Sequence, residues 1–176
     1  MSDVNYGKDR AWSDRYLPAI QRIVGPLLLA PAPFQVDATE ATDLMVMTAR
    51  DMRIACRVRR PGFAGPYGNE FTMRSRRYDS GAVTEIEKIA AGFGDWLFYG
   101  HARDHTTAEI DHWLLVDLHA WRFHVRNNLA FVRWGEIRNP DQASAFVWFD
   151  VDTFPPAPPI LVARSEPVFI TGEAVA

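Results

Sequence analysis

Cysteine is nearly absent. Cys56 stands alone, so no disulfide can close within the chain, no paired-cysteine zinc motif exists, and a reducing cytoplasm is the expected setting. Lysine is almost as scarce: Lys8 and Lys88 are the only two, and arginine supplies the remaining positive charge. No apolar run approaches the roughly 18 residues that a membrane-spanning helix requires, so no membrane partner is expected. The opening MSDVNYGKDRAW is polar and lacks the apolar stretch of a secretory signal. There is no glycine-rich phosphate loop, no dinucleotide fingerprint and no strand-turn-helix serine elbow. The nucleotide-hydrolysing, dinucleotide-dependent and serine-hydrolase chemistries that rest on those motifs have no foothold here.

What remains is a chain of 176 residues, 48% of them apolar, enough for one domain with a substantial core. Residues 1–150 read as a single α/β domain and 151–176 as an extended, proline-rich tail packed on it or trailing from it. Charge is distributed unevenly. Between Arg50 and Arg77 lie eight arginines and only two acids, Asp51 and Glu70. That window carries +6 in a chain of net −3, which leaves −9 elsewhere. Such a segregated cationic stretch fits a polyanion or an acidic protein partner. Arginine suits bidentate contacts to phosphate or carboxylate better than lysine does.

Residues 1–12 read as a loose arm anchored by Trp12. Ser13 or Asp14 caps a helix that runs to about Val24, with Tyr16, Ile20, Ile23 and Val24 on its apolar face and Pro18 in the first turn. Leu44–Thr48 reads as a strand, residues 49–51 as a tight turn, and Arg53–Arg59 as the returning strand. In that strand Ile54, Cys56 and Val58 alternate with Ala55, Arg57 and Arg59, which gives it one apolar and one basic face. Cys56 falls in the apolar set and reads as a core residue rather than a nucleophile. A turn-rich loop over 61–69 leads to a third strand, Glu70–Arg76. Thr84 and Glu87 form a capping box for a helix with Ile86, Ile89, Ala90 and Phe93 as its buried stripe, closed by Gly92 and Gly94. Trp96–Tyr99 and Trp113–Leu118 are apolar enough for central strands. Residues 121–127 fit either a continued strand or a short helix. Leu129–Trp134 and Phe146–Phe149 read as late strands. The order predicts an α/β layer fold: an N-terminal helix, a β-meander, a crossover helix and further strands in a mixed sheet.

That order, with Asp43-Leu44-Met45-Val46 followed by Ile54-Ala55-Cys56-Arg57-Val58-Arg59, resembles the restriction-endonuclease-like core, in which an Asp precedes an acid-x-Lys pair on the next strand. The segments ATDL, IACRVRRPG, EFTMRS, TEIEKI and GDWLFYGHA, within residues 36–120, also resemble uncharacterised proteins of tailed bacteriophages and prophages, which implies the cytoplasm of a host bacterial cell. In the nuclease family the acids hold magnesium or manganese and the lysine activates water beside the phosphate. Asp43 matches that pattern. Arg57 stands in the acid position and Arg59 in the lysine position, and a guanidinium repels a metal where a ligand belongs. Metal-dependent cleavage therefore requires a relocated acid: Asp43, Glu70 and Glu85 converging as the catalytic set, with Asp43 and Glu70 on the metal and Glu40 close by. Otherwise Glu70 pairs with Arg57 or Arg74 across strands and Glu85 complements the helix dipole.

The arginines themselves suit binding. Arg57, Arg59, Arg74 and Arg76 are expected to point outward on neighbouring strands, with Arg60 and Arg77 at the margin. Such a face grips the phosphate backbone of DNA or RNA, and Phe63 and Tyr67 can stack on unpaired bases. The five histidines, His101, His105, His112, His119 and His124, lie close enough in sequence to Asp104, Asp111 and Asp117 for a transition-metal site to be considered. Three functions follow in order: a nucleic-acid-associated protein with a degenerate nuclease-like site, a metal-dependent nuclease with a migrated acid, and a non-enzymatic phage accessory protein that binds a host or phage protein.

Overall fold

The computed structural model describes residues 11–31, 44–46, 52–78 and 80–165. Residues 11–14 are helical, and after a turn at Arg15 and Tyr16 helix α1 runs over Leu17–Val24 with Pro18 in its first turn. Neither Ser13 nor Asp14 caps it; the N-cap is Tyr16, whose side chain accepts no capping bond. The proline makes that tolerable, since it removes one of the amides a cap would serve. Strands β1 (Leu29–Pro31) and β2 (Leu44–Val46) pair antiparallel with each other. The expected return of residues 44–48 onto 53–59 is therefore replaced by pairing with an earlier segment.

Two sheets carry the domain. The first is mixed, in the order β3 (Ile54–Arg59), β5 (Trp96–Ala102), β6 (Ile110–Asp117), β9 (Leu161–Arg164). Its β3 and β5 run parallel, and parallel neighbours need a crossover between them. The intervening chain holds a short helix α2 (Ala64–Tyr67), strand β4 (Glu70–Arg77) and helix α3 (Glu85–Ala90). The second sheet is antiparallel, in the order β4, β8 (Ser144–Asp150), β7 (Trp134–Arg138). The expected meander is absent: β3 and β4 are in different sheets. Residues 121–127 belong to helix α4 (Leu118–Asn127), whose first amides are received by the carboxylate of Asp117. Leu129–Phe131 form a 3-10 turn rather than a strand, and the strand expected there begins only at Trp134.

The mixed sheet is buried on both faces, which explains the nearly unbroken apolar runs of β5 and β6. Leu97 and Tyr99 of β5 and Leu114 and Val116 of β6 pack with Phe71, Met73, Val147 and Phe149 of the second sheet and with Trp121 of α4. Phe98 and Leu115 face the other way, onto Tyr16, Ile20 and Val24. Cys56 packs at the edge of this second cluster, and burial pushes its thiol pKa up. Residues 151–165 are part of this body: Phe154 and Ile160 are buried in the main core, and β9 pairs with β6.

Helix α3 is held at both ends. The Glu87 amide donates to Thr84 Oγ1 and the Thr84 amide to Glu87 Oε2 at 2.6 Å, which completes the capping box. At the other end Gly92, at φ +100°, lets Phe93 N–H reach Lys88 O and Gly92 N–H reach Ile89 O. Phe93, expected in the buried stripe, lies beyond the helix and is 60% exposed. Thr84→Ala is expected to cost about 1 kcal/mol, read as a lowered urea midpoint with an unchanged slope.

Candidate functional site

Among the described residues strand β3 pairs on one side only, and that fact organises the site. The Arg53 carbonyl accepts from Asp95 and Trp96 at the start of β5. The Val58 carbonyl faces the opposite way and accepts from Trp12 Nε1 at 3.1 Å. Backbone groups alternate sides along a strand, so the N–H and C=O of Ile54 and Cys56 also face that edge, where the Ile54 carbonyl accepts from Cys56 Sγ at 3.7 Å. A groove of about 760 Å3 runs along that edge. Arg57, Arg59, Arg60, Arg74, Arg77 and Lys88 line it, against the carboxylates Asp14 and Glu85. Six cations and two acids leave the groove at +4.

Across the groove lies the free edge of β4. Arg57 donates to Thr72 O at 3.4 Å, Glu85 accepts from the Arg74 amide at 3.0 Å, and the two side chains pair at 2.8 Å. The ion pair thus acts as a short surrogate strand that satisfies the β4 edge. It also answers where these two residues point: Arg57 sits on the basic face of β3 as expected, but that face meets the second sheet rather than open solvent. Arg59 lies on the same face. Its Nη1 donates to Tyr99 Oη at 3.2 Å, and its guanidinium lies 4.6 Å from the Phe63 ring and 5.7 Å from that of Phe146. Arg60 lies 5.3 Å from the Trp12 ring.

The expected quartet Arg57, Arg59, Arg74 and Arg76 is altered at one position. A bulge in β4 between Arg74 and Arg76 reverses the alternation beyond it. Arg77 consequently joins Arg74 on the groove, while Arg76 pairs with Glu136 at 3.1 Å on the sheet. The Nε of Arg77 is buried and has no hydrogen-bond partner among the described residues. Phe63 lines the groove and is 37% exposed; Tyr67 lies just outside the lining, 48% exposed, with its ring 6.3 Å from that of Phe63. Lys88 and Trp12 were missed as groove residues. Lys88 had a readable signal, since it follows Glu85 at the helical spacing of three and so shares its face.

The acids do not gather. Asp43 and Glu40 lie outside the described residues. Glu85 is taken by Arg57 and the Arg74 amide. Glu70 is four residues back along β4, roughly 13 Å of strand rise from Arg74. It pairs in register with Asp150, and its pKa is raised, first by burial and then by the Asp150 carboxylate, against the pull of Arg133 and Arg59. Neither expected partner of Glu70, Arg57 or Arg74, is among these charges. Among the described residues no group of three or more His, Cys, Asp or Glu side chains is placed to hold a metal.

The histidines are dispersed into structural roles. His112 Nε2 donates to Gly68 O, and its Nδ1 meets Ser165 Oγ at 2.7 Å. His124 Nε2 donates to Pro158 O, and its Nδ1 accepts from Asn128. His119 Nε2 lies 3.2 Å from Asp95. The carbonyl of His105 receives Arg15. His101 is buried with no hydrogen-bond partner for either ring nitrogen among the described residues.

No family model, curated protein or solved structure matches the chain.

Proposed function

We propose that this chain is a nucleic-acid-binding protein that holds the phosphate backbone in the β3 groove and does not cut it. The observation that carries the reading is the groove itself: six cations, gathered around it from β3, β4 and α3 and their flanks, against two carboxylates. Arg77 adds a guanidinium to the groove wall. Net charge of −3 is no obstacle, because a local field guides a polyanion to its patch. In this reading the restriction-endonuclease-like resemblance describes a degenerate site. Arg57 stands where a metal ligand would be and neutralises Glu85. In the same reading the protein works on DNA or RNA in an infected or lysogenic bacterium, which the tailed-phage resemblance supports.

The test is fluorescence anisotropy of a labelled oligonucleotide across a salt series. Four or five phosphate contacts give a slope of log K against log salt of about −3. Arg59→Ala with Arg77→Ala together should weaken binding about tenfold and flatten the slope by about 1.4. Salt-independent or absent binding sinks the proposal. Cleavage in manganese that is lost in Glu70→Ala would replace it with the nuclease reading.

A further inference from the structure

Resting on that reading, we infer that the groove is built for a single strand with unpaired bases rather than for a duplex. Three features point to this, and none of them follows from charge alone.

The first is width. One arginine side chain, Arg57, reaches from β3 to the Thr72 carbonyl on β4, so the two strands stand one side chain apart there. A duplex, whose major groove alone is about 12 Å across, is too broad to enter a channel bridged by one side chain. A single strand can lie along it.

The second is the strand edge. Cys56 lines the groove and turns its backbone donor and acceptor to the open edge, and an unpaired base has a free Watson–Crick edge to meet them. In a duplex those edges are used up. The same backbone groups could serve an acidic peptide adding as a strand. However, Trp12 occupies the Val58 carbonyl and ends the open edge after Cys56. Of the three β3 residues that face this edge, only Ile54 and Cys56 are left for a ladder.

The third is the aromatic pair at the mouth. Phe63 and Tyr67 are both substantially exposed, their rings 6.3 Å apart and inclined at 33°. The Arg59 guanidinium packs on Phe63 and holds its orientation. Aromatic faces beside a line of cations form the stacking platform that single-stranded nucleic acids use without regard to sequence.

The experiment compares three probes at one salt concentration: a thymidine dodecamer, a blunt duplex of the same length, and a polyglutamate peptide of equal charge. The dodecamer should bind at least tenfold tighter than either competitor. Phe63→Ala should reduce dodecamer affinity about tenfold with its salt slope unchanged, and Phe63→Trp should restore it. Equal affinity for the duplex would overturn the single-strand inference while leaving backbone binding intact. Tightest binding of polyglutamate would overturn it in favour of an acidic protein partner. If none of the three binds, the nucleic-acid reading itself fails.

Discussion

Glu85→Ala lowers the stability of the protein by about 2 kcal/mol at neutral pH. The carboxylate meets two groups at once, the guanidinium of Arg57 at 2.8 Å and the amide of Arg74 at 3.0 Å. Its removal leaves a backbone donor on the β4 edge without its acceptor and a cation facing other cations. The two side chains are 29% and 27% exposed. The loss therefore falls between the roughly 0–1 kcal/mol of a surface pair and the roughly 3–5 kcal/mol of a broken buried one. Arg57→Ala should do less harm, about 1 kcal/mol, because Glu85 keeps the Arg74 amide. Glu85→Gln keeps an acceptor for that amide and should also lie near 1 kcal/mol. Urea melts of the three variants and of the double alanine variant isolate the coupling between the side chains. A change below about 0.5 kcal/mol in Glu85→Ala would show that the edge of β4 does not depend on this clip.

The same variant divides the functional readings. Loss of Glu85 takes one of two acids out of the groove, so its charge rises and nucleic-acid affinity should increase in the fraction that remains folded. A nuclease that used Glu85 to assemble a metal site would lose activity instead. Stability and affinity moving in opposite directions is the signature of a residue that holds the groove together while opposing its ligand.

Local signals in the sequence were read well and long-range ones poorly, for a physical reason. The Thr84–Glu87 capping box is a contact between residues three apart, and it forms as expected. The period-two alternation of β3 correctly separates Ile54, Cys56 and Val58 from Arg57 and Arg59. Periodicity does not say which strand lies alongside. The turn-rich loop over 61–69 suits a meander, yet β3 pairs with β5, some forty residues on by register Ile54↔Trp96, and β4 pairs with β8. That partnership places Arg57 against a second strand edge instead of in solvent, and it makes Glu85 its counterion. The bulge in β4 is also silent in the residue pattern, so Arg76 and Arg77 exchanged places. Leu129–Phe131 carries the apolar character of a strand but closes α4 as a tight turn, a tertiary outcome that propensity does not encode.

The largest pH effect should come from a residue that the binding reading does not use. His101 is 1% exposed, and neither ring nitrogen has a hydrogen-bond partner among the described residues. Burial, then His112, then Arg59 lower its pKa from 6.5 to about 4. Its ring lies 5.6 Å from that of Tyr99 and 5.9 Å from that of His112, and the charges that act on it, His112 and Arg59, both oppose a proton. The folded protein therefore keeps His101 neutral while the unfolded chain protonates it below pH 6.5. Stability linked to this group is complete above pH 6.5 and is lost as pH falls toward 4. The loss amounts to about 3 kcal/mol over that window. Carboxylates titrate in the same range, so the informative quantity is a difference. His101→Leu, similar in size and free of buried unpaired nitrogens, should match or exceed the parent at pH 7 and gain about 3 kcal/mol on it by pH 4. Urea midpoints at several pH values measure this directly. Parallel pH profiles for the two proteins would place the acid sensitivity elsewhere and would mean that His101 takes up its proton in the folded state.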